Sequence, residues 1–468
     1  MELIEDFVRA ANGRDGVELH GLMVLRHGEV VARRWWEPYG PSKPHLLYSL
    51  SKSFTSTALG FAVTEGSVDL DATVLSYFPE HDDRVTDERS RAMKVRHVAA
   101  MASGHLDETI ERAWEAGDGD LLLGLLLMPP ERDPGTVFAY NQPCTYALSA
   151  IVQKVSGVPL TEYLRPRLFE PLGITTYGWV RDRKGRDIGF SGLHTTTEAV
   201  ARLGQLYLRE GSWEGKQLLP AAWVAEATRR HVETARENPD WSQGYGFQFW
   251  RARHGYRGDG AYGQFMLVLP EQDAVVAITS QSPDMQALLD AAWEHLLPAL
   301  GADRSSAGTA GADRSSAGVP GADRSSAGVA GAERDSAVAE NCHTPALTWS
   351  PPSAGVGEAA GAGAPREAVF RPGPGNEWSA LRTVTLDGDR LTLTDHGRPL
   401  EVELGHDGWT VTGPVATVRT ATGVDIVFAE TPHRLHLTLD TADHTFAAVW
   451  ETVPLDPAPP LSSMRMPR

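Results

Sequence analysis

The stretch "LLYSLSKSFTSTALGF", Leu46 to Phe61, sets a lysine and several hydroxyls where an apolar helix begins. Apolar residues dominate from Phe54 to Thr64 and Gly66 follows, which predicts a helix ended by that glycine. If the helix starts near Ser49, a spacing of three puts Ser49 and Lys52 on one face, with the amine in reach of the hydroxyl. The helix N-terminus would also favour negative charge developing there. Serine is a weak nucleophile unless a neighbouring base takes its proton, and a desolvated lysine has its pKa lowered toward that task. The same residues also suit a helix start followed by a solvated lysine, and both readings stand at this point. Among the chain's six lysines only Lys52 has a serine at that offset.

A second segment bears on the choice: "PGTVFAYNQPCTYALSAIVQKVSG", Pro134 to Gly157. A turn at Pro134-Gly135 leads to an extended "VFAY", then polar Asn141 and Gln142, then a helix with Tyr146, Leu148, Ile151 and Val155 on its apolar side. A tyrosine and an amide exposed on such a loop would supply a phenolic proton carrier and a hydrogen-bonding group for a substrate. The alternative is Tyr140 as a half-buried aromatic at the start of a core helix.

Around these segments the chain divides into parts. "VELHGLMVLRHGEVVARRWW" predicts two strands about a turn at His27-Gly28, and helical patterns fill 91 to 103, 119 to 128, 143 to 156 and 197 to 209. β-rich segments return in "YGFQFWRA", "GQFMLVLP" and "DAVVAITS", followed by a helix from Met285 to Leu297. The order implies a sheet assembled from both ends of residues 1–300, with a helical lobe inserted between. Residues 301–340 repeat in tens, "GADRSSAGTA", "GADRSSAGVP", "GADRSSAGVA" and a degraded "GAERDSAVAE". These units lack the large apolar residues a stacked repeat buries, so 301–366 reads as a disordered low-complexity linker, with a partner-binding array as the alternative. Residues 367–455 alternate in the strand manner, as in "RLTLTD" and "RLHLTLD", and predict a small antiparallel β domain, with 456–468 a loose tail.

The chain of 468 residues is 41% apolar and 22% charged, ordinary for a globular protein of two or three domains. Its net charge of −18 argues against nucleic-acid and anionic-membrane partners. The opening "MELIEDFVRA" has acid where a secretory signal has base, and the longest apolar run, "LLLGLLLM", is short of the roughly 20 residues of a membrane span. Two cysteines, Cys144 and Cys342, make no disulfide framework, so a reduced, cytoplasmic setting is expected. No histidine pair has metal-ligand spacing with a nearby acid, and no metal or cofactor is expected.

Taken together, the segments "YSLSKSFTSTALGFAVTEGSVDLDATVLSYFPE", "VRHVAAMASG", "PGTVFAY", "EPLGI", "TTTEAVARLGQLYLREG", "QLLPAAWV", "GYGFQFW" and "GAYGQFMLVLPEQDAVVAIT" occur in an order that resembles one family. It is that of the serine β-lactamase-related and penicillin-binding-protein-like hydrolases, in the branch of class C β-lactamases, D-alanyl-D-alanine carboxypeptidases and esterases. The resemblance covers most of residues 15 to 300. It implies an α/β (α+β) fold, an antiparallel sheet flanked by helices with a helical lobe and the site between. It also implies a serine hydrolase acting through an acyl-enzyme on a small-molecule or peptide substrate. Ser49 resembles the acylated nucleophile, Lys52 its proton acceptor and Tyr140 the tyrosine that assists proton transfer to the leaving group. The backbone N–H groups of Ser49 and Ala261 match the oxyanion hole.

Two positions depart from the family pattern. Gln142 stands where the best-known members have Asn, which keeps the amide and lengthens its reach. The third motif, Lys or His, a small residue and Gly in the family, reads Gly258-Asp259-Gly260, so a cation that helps bind substrate carboxylates is missing and an acid is added. With Gln142, Asp259 and Gly260 on the substrate side, β-lactams are expected to be poor substrates and a neutral or cationic ester or amide the preferred one. Arg257 or His254 is the alternative source of the lost charge. The rival function is a penicillin-recognising relative that has lost turnover and serves as a binding or scaffold protein. His105, His194 and Cys144 read as packing or loop residues rather than site residues.

Overall fold

In the computed structural model, which describes residues 2–301, 368–405, 408–455 and 459–467, strands from both ends of the first 300 residues meet in one sheet. β1 (Glu18–Arg26) pairs antiparallel with β2 (Glu29–Trp35) on one side and with the Ala274–Gln281 strand on the other. The sheet continues through Gln264–Leu269 and Tyr256–Gly260 to the short Trp250–Arg251, six strands in all. The β-rich "YGFQFWRA" therefore yields only a two-residue strand, with Tyr245 held by isolated bridges to Val232 and Trp250.

Because successive side chains point to opposite faces, β1 feeds two cores. Leu22 and Val24 pack with Ile4, Phe7 and Val8 of α1 (Glu2–Asn12) and with Leu288 and Leu289 from the helix Met285–Ala291. Met23 and Leu25 face the other way, into a core that includes Phe54, Leu203, Leu206 and most of the helical lobe. A sheet covered on both sides reads as continuous apolar runs, which is why "GQFMLVLP" and "DAVVAITS" show no alternation. α1 is an amphipathic helix whose apolar positions 4, 7, 8 and 11 follow the helical period, in a segment where the sequence reading expects no element.

α2 (Ser51–Thr64) runs through the middle of the lobe and is buried from Ser51 to Ala62. A helix buried on all sides must satisfy its hydroxyls internally. Ser53 and Ser56 donate to the carbonyls of Gln248 and Phe247, Thr55 to that of Gly189, and Thr57 to Ser53 O within the helix. The hydroxyls of the opening stretch thus tie Gly189 and the 247–248 segment around the start of α2. The helical pattern at 91–103 is two short helices, Glu88–Ala92 and Val95–Ala99, and that at 119–128 is Leu121–Leu127 capped by Asp120. The 143–156 pattern is the helix Gln142–Ser156, buried from Pro143 to Gln153 and exposed at Lys154 and Val155, the latter 36% exposed rather than on the apolar face.

After residue 367 a nine-stranded sheet curls on itself around Phe370, Leu391, Leu393, Ile426, Phe428, Leu435, Leu437 and Phe446. Its end strand Arg398–Glu403 meets the hairpin of Thr410–Thr412 and Val415–Arg419 through Thr412 Oγ1, which accepts from Glu403 N–H at 3.1 Å, and Thr417 Oγ1, which donates to Glu403 O at 2.5 Å. It is not wholly antiparallel, since Ala368–Pro372 pairs parallel with Thr445–Trp450. The linker expected over 301–366 lies, but for Gly301, outside the described residues, as does Cys342. The end of the chain is not a loose tail across 459–467: Leu461 and Met464 are buried in the β-domain core, and Met466 N–H donates to Glu430 at 2.5 Å. Among the described residues no helix is long and apolar enough to cross a membrane.

Candidate active site

A 3₁₀ turn, Tyr48–Leu50, feeds directly into α2, so Ser49 sits just outside the α-helix and Lys52 one turn on. Lys52 is only 1% exposed, which removes the solvated-lysine reading. Its Nζ lies 2.9 Å from Ser49 Oγ, 2.6 Å from Gln142 Oε1 and 2.8 Å from the carbonyl of Phe190. Burial lowers its pKa to about 7, with the charges of Glu108 and Asp259 resisting the fall. A neutral amine has two N–H groups and one lone pair. Gln142 Oε1 and Phe190 O can only accept, so they take the two N–H groups, and the lone pair is left facing the Ser49 hydroxyl.

Tyr140 stacks on Trp250 with ring centroids 5.4 Å apart, and Lys52 Nζ stands 4.9 Å from the centre of its ring. Burial and the charge of Asp259 push the phenol well above its ordinary range, while the Ser49 hydroxyl and Trp250 act on its oxygen in the opposite sense. The two shifts run in opposite directions: burial holds Tyr140 as a phenol and favours the uncharged form of Lys52. Gln142 heads the helix Gln142–Ser156, and its backbone N–H donates to Glu108 at 3.1 Å. The same carboxylate accepts from the N–H groups of Thr109 and Ile110, which pins that helix start to the 108–110 loop. Asn141 is fully buried, its Oδ1 accepting from Thr109, so of the two amides expected on the loop only Gln142 reaches the cleft.

The Tyr256–Gly260 strand crosses the Ser49 turn at very short range. A Cβ on Gly260 would lie 2.0 Å from Leu47 O, and one on Gly258 would lie 2.4 Å from the Leu50 side chain. Only glycines allow this approach, and it brings Ala261 and Ser49 to the wall of one cleft of about 870 Å³, together with Tyr140, Gln142 and Asp259. Asp259 is not a free acid: Arg257, fully buried, places Nη2 at 3.0 Å and Nε at 3.1 Å from Asp259 Oδ2. The Arg257 guanidinium also donates to the carbonyls of Asp240 and Arg251 and lies 4.6 Å from the centre of the Trp241 ring. Arg257 is thus committed to Asp259 and to structure, and His254 lies against Trp293, so neither replaces the missing cation.

His105 bonds Ser103 and the carbonyl of Met128, and His194 lies in a short strand facing Gly192 O. Cys144 is buried, its thiol pushed up to about 12, a packing residue. Among the described residues one group, Asp425, His436 and Glu451, gathers ligating atoms within 4.8 Å of one another. Arg434 already stands 3.4 Å from Glu451 and 4.0 Å from Asp425 there, supplying the positive charge.

Several residues at the site had no signal in the sequence. Trp241 and Trp250, distant from Ser49 in the chain, wall the cleft, and Leu455 of the C-terminal domain lines it too. Tyr48 and Tyr262, neighbours of Ser49 and Ala261, contact that domain through His433 and Val453. No local pattern reveals a contact between residues so far apart.

Comparison with known proteins places this geometry. The family model described as Beta-lactamase matches residues 4–300. A 6-aminohexanoate-dimer hydrolase from Paenarthrobacter ureafaciens is 27% identical over 283 residues, 56% of this chain and 72% of that one. A Salmonella agona protein provisionally named a D-alanyl-D-alanine carboxypeptidase is 22% identical over 289 residues, 47% of this chain and 67% of its own. The solved structure of EstCE1, described as a hydrolase with promiscuous acyltransferase activity, superposes with a TM-score of 0.52 at 18% identity. That match covers 62% of this chain and 98% of EstCE1, and it bears on the fold alone. With the matched model spanning both halves of the sheet and the whole helical lobe, the chain belongs to the beta-lactamase family of serine hydrolases.

Proposed function

We propose that the chain hydrolyses a linear ester or amide through an acyl-enzyme on Ser49. Lys52 takes the Ser49 proton as Oγ bonds to the carbonyl carbon, and the negative charge on the carbonyl oxygen faces the backbone N–H groups of Ser49 and Ala261. The carbon–leaving-group bond then breaks, with the proton passing from Lys52 by way of the Tyr140 hydroxyl to the departing oxygen or nitrogen. Water, deprotonated through the same pair, attacks the acyl-enzyme and Ser49 leaves with the proton. The observation that carries this reading is the hydrogen-bond pattern of Lys52, whose two acceptors orient a lone pair at Ser49 Oγ.

The cleft favours a neutral or cationic substrate over an anionic one. The third motif lacks its cation, and Glu237 and Asp284 on the wall outnumber Arg236. Asp259 contributes less to this than its sequence position suggests, because Arg257 offsets its charge at 3.0 Å. Trp241, Trp250, Met285 and Leu455 offer apolar surface to an aliphatic body. The substrate in the name of the Paenarthrobacter relative, an aminohexanoate dimer, is an amide with such a body. With its oxygen on Lys52, Gln142 presents only N–H groups to a substrate.

Intact-mass spectrometry after treatment with a fluorophosphonate tests the reading. A single adduct on the wild type and none on Ser49→Ala is the expected result. Absence of an adduct on the folded wild type would overturn it. Against that background, uncharged and cationic aminoacyl anilides should turn over faster than their anionic counterparts, by a ratio that shrinks as salt is added.

A further inference from the structure

The two residues that flank the proposed oxyanion donors share an unusual backbone. Tyr48, before Ser49, has φ 47°, and Tyr262, after Ala261, has φ 65°. Side chains other than glycine adopt such conformations only where their surroundings hold them there. Within the hydrolase domain the carbonyl of Tyr262 accepts from Ser282 N–H at 3.0 Å and from Ser280 Oγ at 2.9 Å, and the hydroxyls of both tyrosines are held by the C-terminal β domain. Tyr48 hydroxyl lies 2.6 Å from His433 Nε2, and His433 Nδ1 lies 2.9 Å from Thr452 O. A carbonyl only accepts, so Nδ1 carries the proton and Nε2 accepts from Tyr48. Burial keeps that ring neutral, its pKa lowered to about 4. Tyr262 hydroxyl donates to Val453 O at 2.6 Å, one residue beyond Thr452.

The three rings also meet one another. Tyr48 and Tyr262 pack edge to face at 5.7 Å, and His433 stands edge-on to both at 5.9 and 5.8 Å. Around them the domains are fastened by Leu46 N–H, which donates to Glu430 O at 2.8 Å, and by Arg434, whose Nη2 reaches both oxygens of Glu18 at 2.6 and 2.5 Å. The 430–434 turn and the 452–453 segment thus grip the chain on either side of Ser49 and Ala261.

We propose that the C-terminal β domain clamps the oxyanion hole, with His433 a positioning residue that holds Tyr48 and Tyr262 and through them the backbone N–H groups of Ser49 and Ala261. The proposal rests on the acyl-enzyme reading above. It gives the domain a part in the hydrolase site itself, since its contacts are made by the neighbours of the two donors and not by a distant face.

The test uses the full chain and an activated ester such as p-nitrophenyl acetate. His433→Phe keeps a ring and removes the acceptor; Tyr48→Phe removes only the hydroxyl; His433→Gln keeps an acceptor. For the two phenylalanine variants kcat should fall about tenfold or more with KM within about threefold, because a misplaced donor acts on the transition state. The carbonyl stretch of the acyl-enzyme should move to higher wavenumber in both and return toward wild type in His433→Gln. If His433→Phe does not fold, Tyr48→Phe carries the same expectation. A wild type that acylates while the folded variants match it in kcat and carbonyl stretch would overturn the clamp alone. A wild type that forms no acyl-enzyme would overturn the hydrolytic reading and the clamp with it.

Discussion

Lys52 Nζ and Gln142 Oε1 are joined by a 2.6 Å hydrogen bond in which the glutamine can only accept. The bond ties the protonation of the lysine to its aim at Ser49, so activity should follow the neutral amine. With a pKa of about 7, kcat/KM should rise from low pH, bend near 7 and hold on the alkaline side, since Tyr140 stays a phenol there. Gln142→Glu would set a carboxylate against the amine, favour its charged form and carry the bend to higher pH. A profile whose bend does not move in that variant would separate Lys52 from the rate-determining base.

The same burial makes Lys52 a cost to folding at low pH. Its pKa is about 7 folded against 10.5 unfolded, so between these values the unfolded chain binds more protons and stability rises with pH. Each pH step of one across that window changes stability by about 1.4 kcal/mol, and below 7 the cost is fully present. Lys52→Met should therefore melt higher than wild type at pH 6, by a margin that narrows toward pH 9. Parallel melting temperatures across that range would show that the lysine is not held neutral.

Gly260→Ala should be damaging out of proportion to one methyl group. Its Cβ would meet Leu47 O at 2.0 Å, backbone against backbone, where neither side has a rotamer to yield. The strand must lift from the Ser49 turn, at a cost of about 1–3 kcal/mol. Fluorophosphonate labelling of Ser49 should slow by about a hundredfold as Ala261 N–H moves away. Labelling at the wild-type rate would show that Ala261 is not a donor.

Arg257→Met should lose about 3–5 kcal/mol in urea unfolding, because Asp259 is left buried and unpaired. Replacing both, as Arg257→Met with Asp259→Leu, should recover most of that loss. If the single and double variants unfold alike, the Arg257–Asp259 pair is not the reason for the arginine.

Much of the hydrolase fold is legible in the sequence because its signals are local. The spacing of Ser49 and Lys52, the apolar run after them and the strand segments at both ends each depend on residues within a few turns. The short strand at Trp250–Arg251 and the divided helices of 88–99 differ from their expected extents for the same reason: their ends are set by packing against other elements, not by their own composition. α1 is legible in its period, although its acidic opening draws attention only to the question of export. The acid at position 259 is visible, but its neutralisation by Arg257 is not, since two residues apart on a strand share a face only once the strand exists.

By itself the sequence determined which residue types could do acyl transfer and which turn of helix would carry Ser49 and Lys52, because a helical period converts spacing into proximity. What turns those residues into a site came from the tertiary structure. The pKa of Lys52 falls toward neutrality because the packed chain, with Gln142 and Phe190 in contact, buries it away from water, against the opposing charges of Glu108 and Asp259. Tyr48 meets His433 across 385 positions because the β domain docks on the Ser49 turn. Desolvation and long-range contact are properties of the packed chain, and no run of neighbouring residues encodes them.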